Sequence, residues 1–254
     1  MKGIMLCTAM LLTCTLTAHA ADKREQTFVI GADVNTQGEV TQTQPEASVT
    51  APIAAMLDLA LKQWRFEPVQ QDGKAVSVHT FIEARLEATP DDNGKYTLRI
   101  SYMRHGPTWD RDQPPKYPED AIRLRETGIV AMTGNLQPDG KIVITDTRSI
   151  VESGRGRSSL KTAATDWFSR HVVTPETVDG HPAAARIRAY VAFRLNEIVG
   201  GQVKPAPEVP YNAREKELLL QAGFKDSGNG EKIVSPEISS VLQTRMINPV
   251  TMRL

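Results

Sequence analysis

The feature that most constrains this chain is a pattern it carries twice. Trp64 is answered by Trp167 and Gly38 by Gly140, so two landmarks share one offset of about 100 residues, the mark of an internal duplication. A chain built this way is expected to fold as two similar units.

Each unit reads alike. Phe28 to Val34 and Ile129 to Leu136 are strand-like, and "NTQG" and "QPDG" place glycine where a tight hairpin turn needs positive φ. A second strand follows, clearest in "KIVITDT" (Lys141 to Thr147). Next comes one amphipathic helix. In the first unit Pro52 suits the opening turn, and Ile53, Met56, Leu57, Ala60 and Trp64 share a face. In the second, Leu160, Ala163, Ala164, Trp167 and Phe168 do so. Helices of this kind must lie on a sheet. The tryptophan closes the apolar stripe, and Pro68 stops the first helix after Phe66. Between Trp167 and Pro175 the second exit is longer and reads as looser.

Turns at Gly73 and Gly180 then lead into long alternating strands. Val76, Val78, Ile82, Ala84 and Leu86 face one way, Ser77, His79, Glu83 and Arg85 the other. Likewise Ile187, Ala189, Val191, Phe193 and Leu195 oppose Arg186, Arg188, Tyr190 and Arg194. Strands with one apolar and one polar face suit antiparallel sheets.

Lys2, the apolar stretch from Ile4 to Leu16 and the small-x-small Ala18-His19-Ala20 read as a signal peptide cut after Ala20, which places the mature chain in the periplasm. The competing reading is a lipoprotein anchored at Cys14, against which stands the bulky Thr13. Cys7 and Cys14 are the only cysteines, so the mature protein is expected to hold no disulfide and no thiolate chemistry. Acidic and basic residues balance at 30 each, which argues against nucleic acid or anionic lipid as a partner. No later run is long and apolar enough to span a membrane, so no stable membrane insertion is expected after cleavage.

Enzyme motifs are absent. His79, His105, His171 and His181 lack the spacing of a zinc site, G-x-S-x-G and the phosphate-binding loop are missing, and no pair of carboxylates stands out. The expectation is no catalysis, no metal and no cofactor.

These residues resemble the TonB C-terminal domain family. Tyr117-Pro118 opens a short helix, Gly128-Ile129-Val130 enters a strand, Pro138-Asp139-Gly140 makes the hairpin, and Trp167-Phe168 ends the helix. The first unit has Trp64-Arg65-Phe66-Glu67-Pro68, the family's W-x-F-x-P exit, but no tyrosine-proline opening. The resemblance implies an α+β fold: two tandem TonB C-terminal-like domains, each a three-stranded antiparallel sheet packed by one or two helices. Their expected bounds are a signal peptide over 1–20, a first, diverged domain over 21–104, a linker over 105–116, a second domain over 117–198, and a C-terminal extension over 199–254, partly helical and partly flexible. Segment Lys95 to Met103 is expected to add a strand to the first unit, and Asn212 to Ala222 to form the extension's helix.

The resemblance also implies a role. Domains of this family bind a short segment of an outer-membrane receptor, which adds as a strand at the sheet edge. Arg186, Arg188, Arg194 and Tyr190 then favour an acidic partner, such as an outer-membrane receptor or another envelope protein; the bland alternative is that the arginines blunt an exposed strand. With a cleavable leader and only a few residues before the first strand, energy transduction is not expected. Two other readings stay open: an assembly protein that pairs its own edges into a homodimer, and an envelope enzyme or ligand carrier.

Overall fold

Strand β1 (Arg24–Val34) buries Phe28, Ile30, Ala32 and Val34 and leaves Thr27, Val29 and Asp33 half-buried on the other side, the two-residue period of a sheet with one dry face. In this computed structural model the described residues are 23–91, 95–109, 114–151, 157–195, 197–199, 202–204, 212–224 and 236–253. The signal-peptide reading falls outside them, as does the glycine-rich stretch of the extension expected to be flexible.

A turn closed on Asn35, whose side-chain oxygen accepts from the backbone N–H of Gln37 and Glu39, returns the chain into β2 (Val40–Pro45). Helix α1 (Ala51–Leu61) has Pro52 in its first turn and lays Leu57, Ala60 and Leu61 on the sheet, with Trp64 just beyond. Short strand β3 (Arg65–Phe66) and the hairpin of β4 (Gln70–Gln71) and β5 (Lys74–Ala75) lead into two long strands, β6 (Val78–Pro90) and β7 (Tyr96–Gly106). The linker expected from residue 105 is thereby corrected: β7 runs through Gly106, because His105 and Gly106 continue the ladder to Ile82 and Phe81. After it, β8 (Thr108–Trp109) carries Trp109 into the second unit's core.

The second unit runs α2 (Glu119–Arg123), β9 (Gly128–Leu136), β10 (Ile142–Val151), α3 (Arg157–Arg170), β11 (Val173–Thr174), β12 (Thr177–Val178), β13 (His181–Pro182) and β14 (Ala185–Phe193). The extension supplies a hairpin of β15 (Glu197–Val199) and β16 (Gln202–Lys204), then α4 (Ala213–Gln221), β17 (Glu237–Ile238), β18 (Thr244–Met246) and β19 (Val250–Arg253).

The α+β class holds, but both sheets outgrow three strands. In the first, β2, β1 and β6 are antiparallel neighbours, and the far side of β6 is shared by β7 and by β12 from the second unit; β19 and β13 lie outside these, making seven strands. The second is ordered β10-β9-β14-β17, again antiparallel. The added strands come from remote segments that read locally as loop, because two to four residues of pairing leave no clear periodic signature.

One local arrangement occurs in both units and corrects the tryptophan pairing. The N–H of Phe66 donates to the carbonyl of Gly38 at 2.8 Å, and that of Val173 to Gly140 at 2.9 Å. Both glycines have φ near +80°, and a Cβ would lie 2.0 Å from the Phe66 oxygen at Gly38 and 2.6 Å from the Val173 oxygen at Gly140. With these bonds as reference, Trp64-Arg65-Phe66-Glu67-Pro68 corresponds to His171-Val172-Val173-Thr174-Pro175. The second exit is therefore not looser. Helix α3 is longer than α1, 14 residues against 11, which sets Trp167 one turn before the exit and His171 in the place that Trp64 holds.

Candidate functional site

Strand β14 was expected to present Arg186, Arg188, Tyr190 and Arg194 on an open outer face. Its inner face is as read: Ile187, Ala189 and Phe193 are buried with Val130, Met132, Leu160, Ala164 and Phe168 under α3. The outer face is covered by the chain itself. Helix α4 starts at Asn212, whose side chain accepts from the N–H of Glu215 while Glu215 accepts from the N–H of Asn212, a capping box. The helix sets Leu218, Leu219 and Phe224 against Ile129 and Ala131 of β9, with Tyr190 edge-on to Phe224. Leu220, next to them in the helix, is exposed.

Two of the arginines are engaged by carboxylates of the extension. Arg194 donates from Nη2 to both oxygens of the buried Glu215, at 2.7 and 2.8 Å. Arg188 lies 3.8 Å from Glu237 of β17 and beneath Gly223, at which a Cβ would stand 2.9 Å from its Nε. Arg186 is exposed, yet its backbone is held: its N–H donates to Ser239 Oγ at 2.8 Å and its carbonyl accepts from Ser239 N at 2.9 Å. Strand β17 pairs Ile238 with Ile187 and Glu237 with Arg188. The edge expected to receive a partner strand thus has one laid along it already, and the acidic groups expected of a partner are supplied in cis.

Next to this edge the two units join. Val178 and Thr177 pair with Val78 and His79, and Asp179 accepts from the N–H and hydroxyl of Ser77, both at 2.9 Å. Glu176, 1 % exposed, accepts from Thr80 Oγ1 at 2.6 Å, Ser240 Oγ at 2.7 Å and Val241 N at 2.8 Å. Trp109, from the supposed linker, stacks on the His171 ring at 4.3 Å between centroids, and β8 pairs with β11.

The other motif residues are structural. The Tyr117 hydroxyl donates to the Glu126 carbonyl and its ring meets Phe193 edge-on; Pro118 is the residue before α2. Gly128 opens β9, and Pro138, Asp139 and Gly140 form its turn, where the hydrogen bond from Lys141 holds the Asp139 carboxyl below its ordinary range. Trp64 donates its indole N–H to the Asn248 carbonyl at 3.1 Å, Phe66 is buried beside it, and Pro68 follows β3. Gly73 and Gly180, each after a residue of positive φ, turn with open space around them.

Sequence reading missed Glu176, Glu215, Ser239, Ser240 and Trp109. One signal pointed to the covered face: Ile129-Val130-Ala131-Met132 is apolar without alternation, as in a strand buried on both sides. Among the described residues no group of His, Cys, Asp or Glu could hold a metal ion, and no helix is long and apolar enough to cross a membrane.

Residues 113–195, from just before Tyr117 to two residues past β14, match the family described as Gram-negative bacterial TonB protein C-terminal. No curated protein and no solved structure matches the chain. Helix α4 and strands β17 to β19 lie beyond the matched segment. Domains of this family are periplasmic protein-interaction modules rather than enzymes. The segment that contributes β9, β10, α3 and β14 is thus similar to the TonB C-terminal domain family.

Proposed function

We propose that this protein is a periplasmic binding module, delivered by its N-terminal leader, that takes up an extended segment of an outer-membrane receptor or other envelope protein by strand addition at the edge of β14, without energy transduction. The observation that carries this reading is that β14 already accepts an antiparallel strand from outside the family domain, through Ile187 and Arg188. Backbone pairing supplies affinity and the arginines supply selectivity for carboxylates. The first unit is a diverged tandem copy. In support stand the paired bonds at Gly38 and Gly140 and the Asp72-Gly73 and Asp179-Gly180 turns of like conformation.

The test is photocrosslinking in the native cell, with the probe at the exposed Ala192 of β14 and the products identified by mass spectrometry. A crosslink to a periplasmic segment of an envelope protein is the expected result. A crosslink to a second copy alone would replace this reading with assembly through sheet edges.

A further inference from the structure

The strand lying on β14 belongs to the chain, and its chemistry complements the arginine edge. Glu237 stands across from Arg188, Ile238 across from Ile187 on the core side, and Ser239 exchanges two hydrogen bonds with Arg186. Helix α4 adds a second carboxylate, Glu215, on Arg194. All four residues lie outside the segment that matches the family. The strand is also short: its ladder is two residues long, so it is held chiefly by what flanks it, including the bonds from Ser240 and Val241 to Glu176. An added strand with two paired residues is easily exchanged, since closing or opening it changes few backbone bonds.

We infer that Glu237-Ile238-Ser239 is a resident pseudo-ligand: it occupies the edge of β14 until a partner displaces it, and the partner segment presents the same series of groups, a carboxylate, an aliphatic side chain and a hydroxyl. This rests on the strand-addition reading and names the partner chemistry for that edge. Because the resident strand is tethered, its pairing is intramolecular, and a free peptide competes only when the resident is weakened or when the partner makes further contacts.

The test uses the full chain with Cys7 and Cys14 replaced by serine, and a fluorescent synthetic peptide of sequence PEISSVLQ, that of residues 236–243. E237K sets a second cation against Arg188 and weakens the resident strand. This variant is expected to bind the peptide at least tenfold more tightly than the chain with Glu237 intact. Adding R186C and S239C and oxidising them locks the resident strand in place; binding is then expected to vanish and to return on reduction. The peptide with lysine in place of glutamate, PKISSVLQ, is expected to bind E237K at least fivefold more weakly, and R188E to invert that preference. Circular dichroism of each variant verifies folding, and if E237K fails to fold, I238A serves in its place.

Equal binding by the unlocked and locked forms overturns residence of the tail while leaving a peptide site elsewhere. Indifference to glutamate or lysine overturns the partner chemistry. If no variant binds either peptide, strand addition at β14 itself fails, and the inference with it.

Discussion

Glu176 accepts the hydroxyl hydrogen of Thr80 at 2.6 Å, across 96 residues of sequence, at a point where both side chains are almost wholly buried. The same carboxylate receives Ser240 Oγ and the N–H of Val241. A buried carboxylate is costly unless its oxygens are hydrogen-bonded, and here the donors come from the first unit and from the C-terminal extension. One side chain of the second unit therefore ties three distant parts of the chain together, directly beside the strand that lies on β14.

Replacing Glu176 by alanine leaves these donors buried without their acceptor and is expected to destabilise the protein by about 3 kcal/mol, with Thr80→Val costing about 1 kcal/mol. Urea unfolding measures both. Limited proteolysis should show the segment around Ser240 cut sooner in Glu176→Ala, and equal protection would mean that the tail is held by other contacts.

Gly38→Ala forces a Cβ to within 2.0 Å of the Phe66 carbonyl oxygen at a backbone φ of +80°. Its expected cost is about 3 kcal/mol, because strain and the lost close approach add. Gly73→Ala has a similar φ, +75°, but nothing within 4 Å, and is expected to cost only about 1 kcal/mol. Thermal unfolding of the two variants separates contact from conformation.

Arg194→Ala removes both bonds to Glu215 and strands a carboxylate whose side chain is 7 % exposed. The expected loss is about 3 kcal/mol, against less than about 0.5 kcal/mol for the exposed Arg186→Ala, whose links to Ser239 run through its backbone. Chemical denaturation decides it, and a double-mutant cycle with Glu215→Gln isolates the pair.

Trp109→Ala opens a cavity over His171, Phe168 and Trp167, and is expected to cost about 3 kcal/mol. Since Trp109 comes from outside the matched family segment, cleavage between β8 and Tyr117 should loosen α3 as well; amide exchange along α3 in a chain nicked there reads this out.

Burial raises the phenol of Tyr102 from 10.0 to about 12, while Arg104 opposes the shift. The folded state favours the protonated phenol, so the unfolded chain ionises first as pH rises. Stability from this group is intact below pH 10 and lost between 10 and about 12. The phenol is partly exposed, so solvent screening lessens the effect. Spectrophotometric titration of wild type against Tyr102→Phe is expected to show one late-ionising tyrosine missing from the variant.

The local elements were legible in the sequence because each satisfies its own periodicity. The face of α1 follows from the spacing of Leu57, Ala60 and Trp64, and the inner face of β14 from the alternation of Ile187, Ala189 and Phe193. The exit of α3 misled because a tryptophan is a stronger landmark than a histidine. Only the bonds at Gly38 and Gly140 reveal that His171, under Trp109, holds the place of Trp64. The candidate site was legible as a strand with outward arginines; that Glu215 and Glu237 already engage two of them was not, since neither acidic residue lies near them in the chain or in any pattern.

The sequence by itself determined the repeated order of hairpin, helix and strand, the inward faces of α1 and β14, and the family resemblance of the second unit, because periodicity, turn chemistry and helix stops act over a few residues. Tertiary structure alone decided which segments meet: β12 on β6, β8 on β11, β18 on β3, β17 on β14, and Glu176 beneath Ser240. Backbone pairing is almost indifferent to side-chain identity, so a short strand carries little record of its partner. The choice is made by the packing around it.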